Sequence, residues 1–242
     1  LQGPEGTIWS PKNYDGQSHG TVPLFNALVH SYNEATVRLG MDLGFERIAD
    51  TLQRLGATRE IPPYPSMLLG AIGFTPYEVT GLYQTLASGG FHTPLRVIRE
   101  VMTVDGERLR RFPLEVEQTV DPTHVVVLVS ALHEVTKTGT VRSLQTRLPA
   151  GMTVAGKTGT TNNYHDALFV GFSPTVTAGV WVGLDLGGTM GDRETGSRAA
   201  LHSSGGSAVL LDSWNPAIVC FGICLDVNFD TSANEADYMT VI

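Results

Sequence analysis

Residues 152–172 read Met-Thr-Val-Ala-Gly-Lys-Thr-Gly-Thr-Thr-Asn-Asn-Tyr-His-Asp-Ala-Leu-Phe-Val-Gly-Phe. Two short runs, 152–158 and 167–172, flank a polar segment, and a third apolar run follows at 176–184. Short runs of apolar and β-branched residues that are separated by polar turns are typical of strands. Because the connections between these runs are short, we predict that the three strands pair as an antiparallel meander.

Helical patterns dominate the chain before this sheet. We predict a helix pair over 22–39 that breaks near Ser31, an amphipathic helix over 43–55 and a long helix over 122–136. Alternation on both sides of Val104-Asp105-Gly106 predicts a β-hairpin. Helices followed by a contiguous sheet, rather than alternating with strands, predict an α+β fold in which helices flank an antiparallel sheet.

The composition narrows the functional classes. The 242 residues are 42% hydrophobic, which is enough to bury a core, and the net charge of −8 argues against nucleic acid binding. No apolar run reaches the length that spans a membrane. The two cysteines, Cys220 and Cys224, are weak evidence for a metal site or a disulfide, and two apolar core residues are the favoured interpretation.

The two ends of the chain differ from its centre. The start, Leu1-Gln2-Gly3-Pro4, has the character of the middle of a longer chain. After Arg198 there is no Lys or Arg, although several Asp and Glu residues remain. Glycines 205 and 206 weaken any helix that continues there, since glycine costs about 1 kcal/mol in a helix interior. We therefore predict a divergent C-terminal tail over 201–242.

The tetrapeptide Lys-Thr-Gly-Thr occurs twice, at 137–140 and at 157–160. The first copy follows a predicted helix, where Gly139 would cap the end, and we interpret it as structural. The second copy continues a predicted strand, so Lys157 and Gly159 should face one way and Thr158 and Thr160 the other. Such a strand can bind an extended peptide by strand addition, with a fixed positive charge and hydroxyl donors beside it. An ordinary buried strand is the alternative interpretation.

Ser31-Tyr32-Asn33 interrupts the predicted helix pair with polar groups. A serine hydroxyl in such a break can relay a proton, and an asparagine amide can hold a substrate carbonyl. Taken alone, a capping serine and a surface asparagine are the default interpretation.

Together the two motifs resemble the signature of penicillin-binding proteins and serine β-lactamases, which is Ser-x-x-Lys, then Ser-x-Asn, then Lys-Thr-Gly. The flanking sequence is similar to the transpeptidase domain of class A penicillin-binding proteins, especially the 1B type of Gram-negative bacteria. The resemblance extends from about residue 5 to residue 200, and its segments are Phe25-Asn26-Ala27-Leu28, 65–71, 75–79, 87–90, 155–162 and Val180-Trp181-Val182-Gly183.

The resemblance implies a penicillin-binding-protein/serine β-lactamase-like fold that is N-terminally truncated, with a partial transpeptidase domain over 1–200. No Ser-x-x-Lys occurs in the sequence, whose lysines are Lys12, Lys137 and Lys157, so the nucleophile segment should lie upstream of Leu1. The implied site consists of catalytic and substrate-binding residues, namely Ser31, Asn33 and Lys157, and Thr158, Gly159, Thr160, Thr161 and Asn162.

The implied activity is cross-linking of peptidoglycan stem peptides through a serine acyl-enzyme, with β-lactams as mimics of D-Ala-D-Ala and with no metal or organic cofactor. The implied partners are stem peptides, β-lactams and an upstream glycosyltransferase domain, at the periplasmic face of the inner membrane. A D,D-carboxypeptidase or β-lactamase of the same fold and a non-catalytic peptide-binding module remain alternatives, as does an unrelated α+β binding domain.

Overall fold

Helices pack on an antiparallel sheet, and this arrangement confirms the predicted α+β class. The computed structural model describes residues 9–96, 98–161, 164–184, 188–191 and 195–200, together with the backbone of 218–226. The described α-helices are α1 (Leu24–Val29), α2 (Asn33–Leu43), α3 (Phe45–Arg54), α4 (Pro76–Ala87) and α5 (Pro122–Lys137). Two short 3-10 helices lie at Pro65–Leu69 and Arg142–Thr146.

The strands form three antiparallel groups. Two are short pairs, β1 (Phe91–His92) with β4 (Glu117–Gln118), and β2 (Glu100–Met102) with β3 (Arg108–Arg111). The third is a four-stranded sheet in the order β5 (Ala155–Thr160), β6 (Asp166–Phe172), β7 (Val176–Leu184) and β8 (Ile218–Asp226). The predicted hairpin around Val104-Asp105-Gly106 and the predicted three-stranded meander are both confirmed, although β5 begins at Ala155 rather than at residue 152.

Local sequence signals explain where several helices begin and end. Thr75 caps α4 through a reciprocal pair of hydrogen bonds with Glu78, and Pro76 occupies the first turn, where its missing N–H costs nothing. Gly56 follows α3 with φ at 115°, a conformation that glycine adopts easily. The predicted break in the first helix pair lies at residues 30–32, between α1 and α2.

Two helices, α4 and α5, pack against the four-stranded sheet. Helix α5 packs against β5, and helix α4 packs against β6 and β7. A buried apolar cluster joins the end of α1, the end of α5 and the sheet; its members include Val29, Val135, Val141, Phe169 and Val180. The Thr136 hydroxyl, which is fully buried, donates to the Val154 carbonyl at 2.7 Å and fastens α5 to the start of β5. The sheet, α1 and α5 therefore share one core.

Strand β8 was not predicted as a member of the sheet. It pairs with the whole of β7, from Val176 opposite Asp226 to Leu184 opposite Ile218. Both cysteines, Cys220 and Cys224, lie on this strand. The remaining residues of the predicted tail, 201–217 and 227–242, lie outside the described residues, so the domain boundary at residue 200 stays a prediction. Among the described helices, none is long and apolar enough to cross a bilayer.

Candidate active site

Ser31 lies in a tight turn between α1 and α2. Its φ is 59°, in the left-handed region that residues other than glycine rarely adopt. Two backbone bonds hold the turn: Ser31 N donates to Leu28 O at 3.2 Å, and Tyr32 N donates to Ala27 O at 2.9 Å. A conformation of this kind costs of order 1–3 kcal/mol and persists where the surroundings impose it, most often at functional sites. The turn thus presents the serine hydroxyl beyond the end of α1.

The loop at 12–19 supports this turn from the outside. The Asn33 side chain donates through Nδ2 to Lys12 O at 2.8 Å, and Glu34 N donates to Asn13 Oδ1 at 3.1 Å. The Tyr32 ring stacks on His19 with the ring centroids 4.0 Å apart. In the predicted Ser-x-Asn motif, Ser31 is therefore held by its backbone bond to α1, and Tyr32 and Asn33 are held by the loop. The sequence predicts a loop over residues 1–20 but does not connect it with the site, since its composition is that of any polar loop.

Lys157 of β5 meets Ser31, although 126 residues separate them in the chain. Its Nζ donates to Ser31 Oγ at 2.8 Å and to the Thr158 carbonyl at 3.0 Å. Burial lowers the pKa of Lys157 to about 8, because the charged ammonium loses hydration inside the fold. Close to neutral pH this lysine therefore exchanges between a charged donor and a neutral amine that can accept a proton from Ser31.

Thr158 and Thr160 follow Lys157 on the same strand. The Thr158 Oγ1 lies 3.4 Å from Thr140 Oγ1, and Thr160 Oγ1 accepts from Gly196 N at 2.9 Å. Each hydroxyl therefore has a neighbour within the chain and retains the capacity for a further hydrogen bond. Strand β5 is an edge of the described four-stranded sheet, a position from which a strand can pair with an added peptide.

The tightest packing around this strand lies at Gly196 rather than at Gly159. A Cβ at Gly159 would meet Leu168 Cβ at 3.5 Å, which is ordinary contact. A Cβ at Gly196 would lie 2.5 Å from Gly159 O and 2.6 Å from Leu168 O, closer than real Cβ atoms come. Glycine is thus required at position 196 so that the segment 195–200 can lie against β5 and β6.

Thr161 closes the turn that leads from β5 towards β6. Its hydroxyl donates to Asp166 Oδ2 at 3.1 Å and accepts from Asp166 N at 2.8 Å. Asp166 in turn accepts from the Trp181 ring nitrogen at 3.0 Å. Asn162, the other predicted substrate-binding residue of this turn, lies outside the described residues. Tyr164, just beyond it, has φ at 54° and is the second residue other than glycine in the left-handed region of the described chain.

The first Lys-Thr-Gly-Thr copy also reaches the site, which sequence reasoning missed. Helix α5 ends at Lys137 with Thr138 as its C-cap. A Cβ on Gly139 would lie 2.3 Å from the Val29 carbonyl oxygen, so this glycine permits the end of α5 to touch the end of α1. Because Thr138 is the C-cap and Gly139 has no positive φ, the prediction that Gly139 caps the end of the helix was wrong. The repeated motif itself was the signal that could have been pursued.

Among the residues that the structure describes, no three His, Cys, Asp or Glu side chains gather as metal ligands would. The groups available at the site are the buried amine of Lys157, the side-chain amide of Asn33 and the hydroxyls of Ser31, Thr158 and Thr160. This set can move protons and bind a carboxylate.

The sequence matches a family profile described as "Penicillin binding protein transpeptidase domain" over residues 2–200. It is 42% identical to penicillin-binding protein 1B of Vibrio cholerae over 186 residues, which cover 76% of this chain and 24% of that protein. It is 39% identical to penicillin-binding protein 1A of Aquifex aeolicus, over 81% of this chain and 27% of that protein. The chain thus spans about a quarter of the length of these curated relatives.

Solved structures show the same fold. Penicillin-binding protein 1A from Haemophilus influenzae superposes with a TM-score of 0.74 at 23% identity, over 83% of this chain and 36% of that one. The D,D-transpeptidase domain of a peptidoglycan glycosyltransferase from Eggerthella lenta gives a TM-score of 0.62 at 22% identity, over 78% of this chain and 53% of that one. These matches confirm the expected fold, and the family match with the 1B and 1A relatives confirms the resemblance: the chain belongs to the transpeptidase-domain family of class A penicillin-binding proteins.

Proposed function

We propose that this chain is the substrate-holding part of a peptidoglycan D,D-transpeptidase domain, which cross-links stem peptides and is acylated by β-lactams. The observation that carries the proposal is the 2.8 Å contact between Lys157 Nζ and Ser31 Oγ. It joins the Ser-x-Asn turn to the Lys-Thr-Gly strand, which are far apart in sequence. An ordinary buried strand would not need a lysine with a lowered pKa against a strained serine.

The proposed reaction needs a nucleophilic serine that this sequence does not contain as a Ser-x-x-Lys tetrad. We propose that residues outside the sequence supply it. That serine oxygen attacks the penultimate D-Ala carbonyl, the bond to the terminal D-Ala breaks, and an ester to the enzyme forms. The amine of a second stem peptide then attacks the ester, an amide bond forms, and the serine oxygen recovers its proton.

The residues of this chain serve those two steps. Ser31 passes a proton to the departing D-Ala amine. Lys157 returns a proton to Ser31 or accepts one from it, because the lowered pKa of Lys157 keeps both protonation states of the lysine accessible. Asn33 holds the substrate amide through its side-chain oxygen, while its Nδ2 is anchored on Lys12 O. Thr158 and Thr160 donate to the terminal carboxylate, and β5 pairs with the peptide backbone, with Gly159 leaving room for it.

The setting of the whole protein follows from the same proposal. We propose stem peptides that end in D-Ala-D-Ala and β-lactams as ligands, a glycosyltransferase domain upstream in the same polypeptide, and a position at the periplasmic face of the inner membrane. The class A relatives support this setting. Thr161 contributes by shaping the turn after β5, through its two bonds to Asp166.

The test uses a form of the protein that is extended upstream to include the proposed Ser-x-x-Lys tetrad. Covalent labelling by a fluorescent penicillin is followed with time on a denaturing gel. Replacing Lys157 with alanine is expected to slow labelling by a factor of roughly 100 or more, since a positioned proton-transfer group contributes about that much. Lys137→Ala, in the other copy of the motif, is the matched control and should label like the unaltered protein. The reverse pattern would show that the site has been assigned to the wrong copy.

A further inference from the structure

The two Lys-Thr-Gly-Thr copies touch through one threonine of each, Thr140 and Thr158. Thr140 Oγ1 lies 3.4 Å from Thr158 Oγ1, although Thr140 belongs to the segment after α5 and Thr158 to β5. Thr158 has a role in the proposed reaction, whereas Thr140 has been given none. The contact therefore raises the question of what a second hydroxyl does beside one that donates to a carboxylate.

Thr140 is held firmly on both sides. Before it, Gly139 is packed against the Val29 carbonyl, with no room for a Cβ. After it, Val141 is fully buried and its N–H donates to Val135 O at 3.3 Å. One turn earlier, Thr136 fastens α5 to the residue that precedes β5. The backbone at Thr140 is therefore fixed beside β5, while the Thr140 side chain is itself exposed and meets Thr158 in the rotamer of this structure.

Either threonine could donate in this contact, but a Thr158 that donates its one proton to a carboxylate can only accept from Thr140. A threonine hydroxyl has one proton to donate and two lone pairs to accept with. If Thr140 donates to Thr158 Oγ1, the proton of Thr158 stays free for the negatively charged ligand group, where the bond is strongest. We propose that Thr140 is a positioning residue that donates to Thr158 and so directs the Thr158 proton towards the terminal carboxylate of the substrate. This inference rests on the proposed function.

Equilibrium binding to the present chain tests it, because a chain without the tetrad should bind without being acylated. The probes are N-acetyl-D-Ala-D-Ala and the same dipeptide with a C-terminal amide, titrated while the Thr158 and Thr160 amides are followed by NMR. Thr140→Val should weaken binding of the acid by about threefold to tenfold, the usual effect of one hydrogen bond. Thr140→Val should weaken binding of the dipeptide amide by less. Thr140→Ser, which keeps the hydroxyl, should bind both probes like the unaltered chain.

Two further variants separate positioning from a general loss of packing. Thr138→Val removes the corresponding hydroxyl two residues earlier, where it donates to Glu134 Oε1 at 2.9 Å, and should leave binding of both probes unchanged. In a chain that already carries Thr158→Val, Thr140→Val should cause no further loss, because it acts only through Thr158.

The outcomes are distinct. If Thr140→Val binds the acid like the unaltered chain, or loses as much in the Thr158→Val background as alone, the positioning role is wrong while the proposed carboxylate site stands. If the unaltered chain binds acid and amide equally, the carboxylate site itself is wrong, and the role of Thr140 falls with it.

Discussion

At the scale of single residues, the motifs selected Ser31, Asn33 and Lys157 as candidates but did not reveal which of them touch. The order Ser31, Asn33, Lys157 was readable from the motifs. The 2.8 Å contact between Lys157 and Ser31 was not, since nothing local connects residues so far apart in the chain. The left-handed backbone at Ser31 was also invisible, because serine normally avoids it and no glycine marks the position. Backbone strain and long-range contacts arise from tertiary packing, so local sequence patterns do not reveal them.

Lys157 should make stability depend on pH in the alkaline range. Its pKa is lowered to about 8 by burial, from the ordinary value of 10.5 that it has in an unfolded chain. Between these values the unfolded chain binds more protons than the folded one, so the free energy of unfolding rises with pH. Below pH 8 both states carry the charge, and the full cost of burying it is present. Relief of this cost should add about 2 kcal/mol between pH 7.5 and pH 10.

Lys157→Met provides the comparison for this prediction. Urea unfolding of both proteins across that pH range isolates the contribution of Lys157, because other alkaline titrations are shared. We expect the unaltered chain to gain stability relative to the variant as the pH rises. A difference that stays flat, or that changes in the opposite direction, would mean that Lys157 is not buried as a charged group.

At the scale of elements, prediction succeeded where local signals decide and failed where packing decides. The hairpin turn at Val104-Asp105-Gly106 was predicted, and the cap at Thr75 and the stop at Gly56 follow from the same kind of local residue preference. Gly139 was not, because the glycine is needed for its contact with Val29 and not for its backbone conformation. The pairing of β8 with β7 was missed for a similar reason: an apolar β-prone run does not reveal which edge it joins.

Gly139→Ala should therefore destabilise the fold by crowding alone. Its Cβ would lie 2.3 Å from Val29 O, and the neighbouring atoms are backbone, which yields less easily than the tip of a side chain. We expect a loss of about 1–3 kcal/mol, the usual cost of an added methyl group in a packed interior. Thermal or urea unfolding of the purified chain measures it.

The matched control for this change is Gly81→Ala, inside α4. There the nearest atom to an added Cβ is Leu95 Cδ1 at 3.3 Å, at the flexible end of a side chain. Alanine is favoured over glycine in a helix by up to about 1 kcal/mol, so this variant should be neutral or slightly stabilised. Equal losses at the two glycines would contradict the contact between α1 and α5 as the reason for Gly139.

At the scale of the whole molecule, family-specific flanks carried the prediction further than periodicity did. Periodicity predicted helices and a meander, which many α+β proteins share. The segments around both motifs pointed to one family, and the profile match over 2–200 shows membership of that family. Physically, the site is possible because a single core joins α1, α5 and the sheet, so that the Ser31 turn, the Thr140 segment and β5 keep fixed distances.

The chain as given should not be acylated by penicillin. Acylation requires a nucleophile whose proton is removed by a nearby base, and in this family the Ser-x-x-Lys tetrad supplies both, whereas this sequence contains none. Ser31 is the one serine that hydrogen-bonds Lys157 among the described residues, and the part we propose for it is to relay protons. Incubation with a fluorescent penicillin, followed by a denaturing gel, should show no covalent band. If a band appears and Ser31→Ala removes it, Ser31 is itself a nucleophile and the division of roles proposed for this site is wrong.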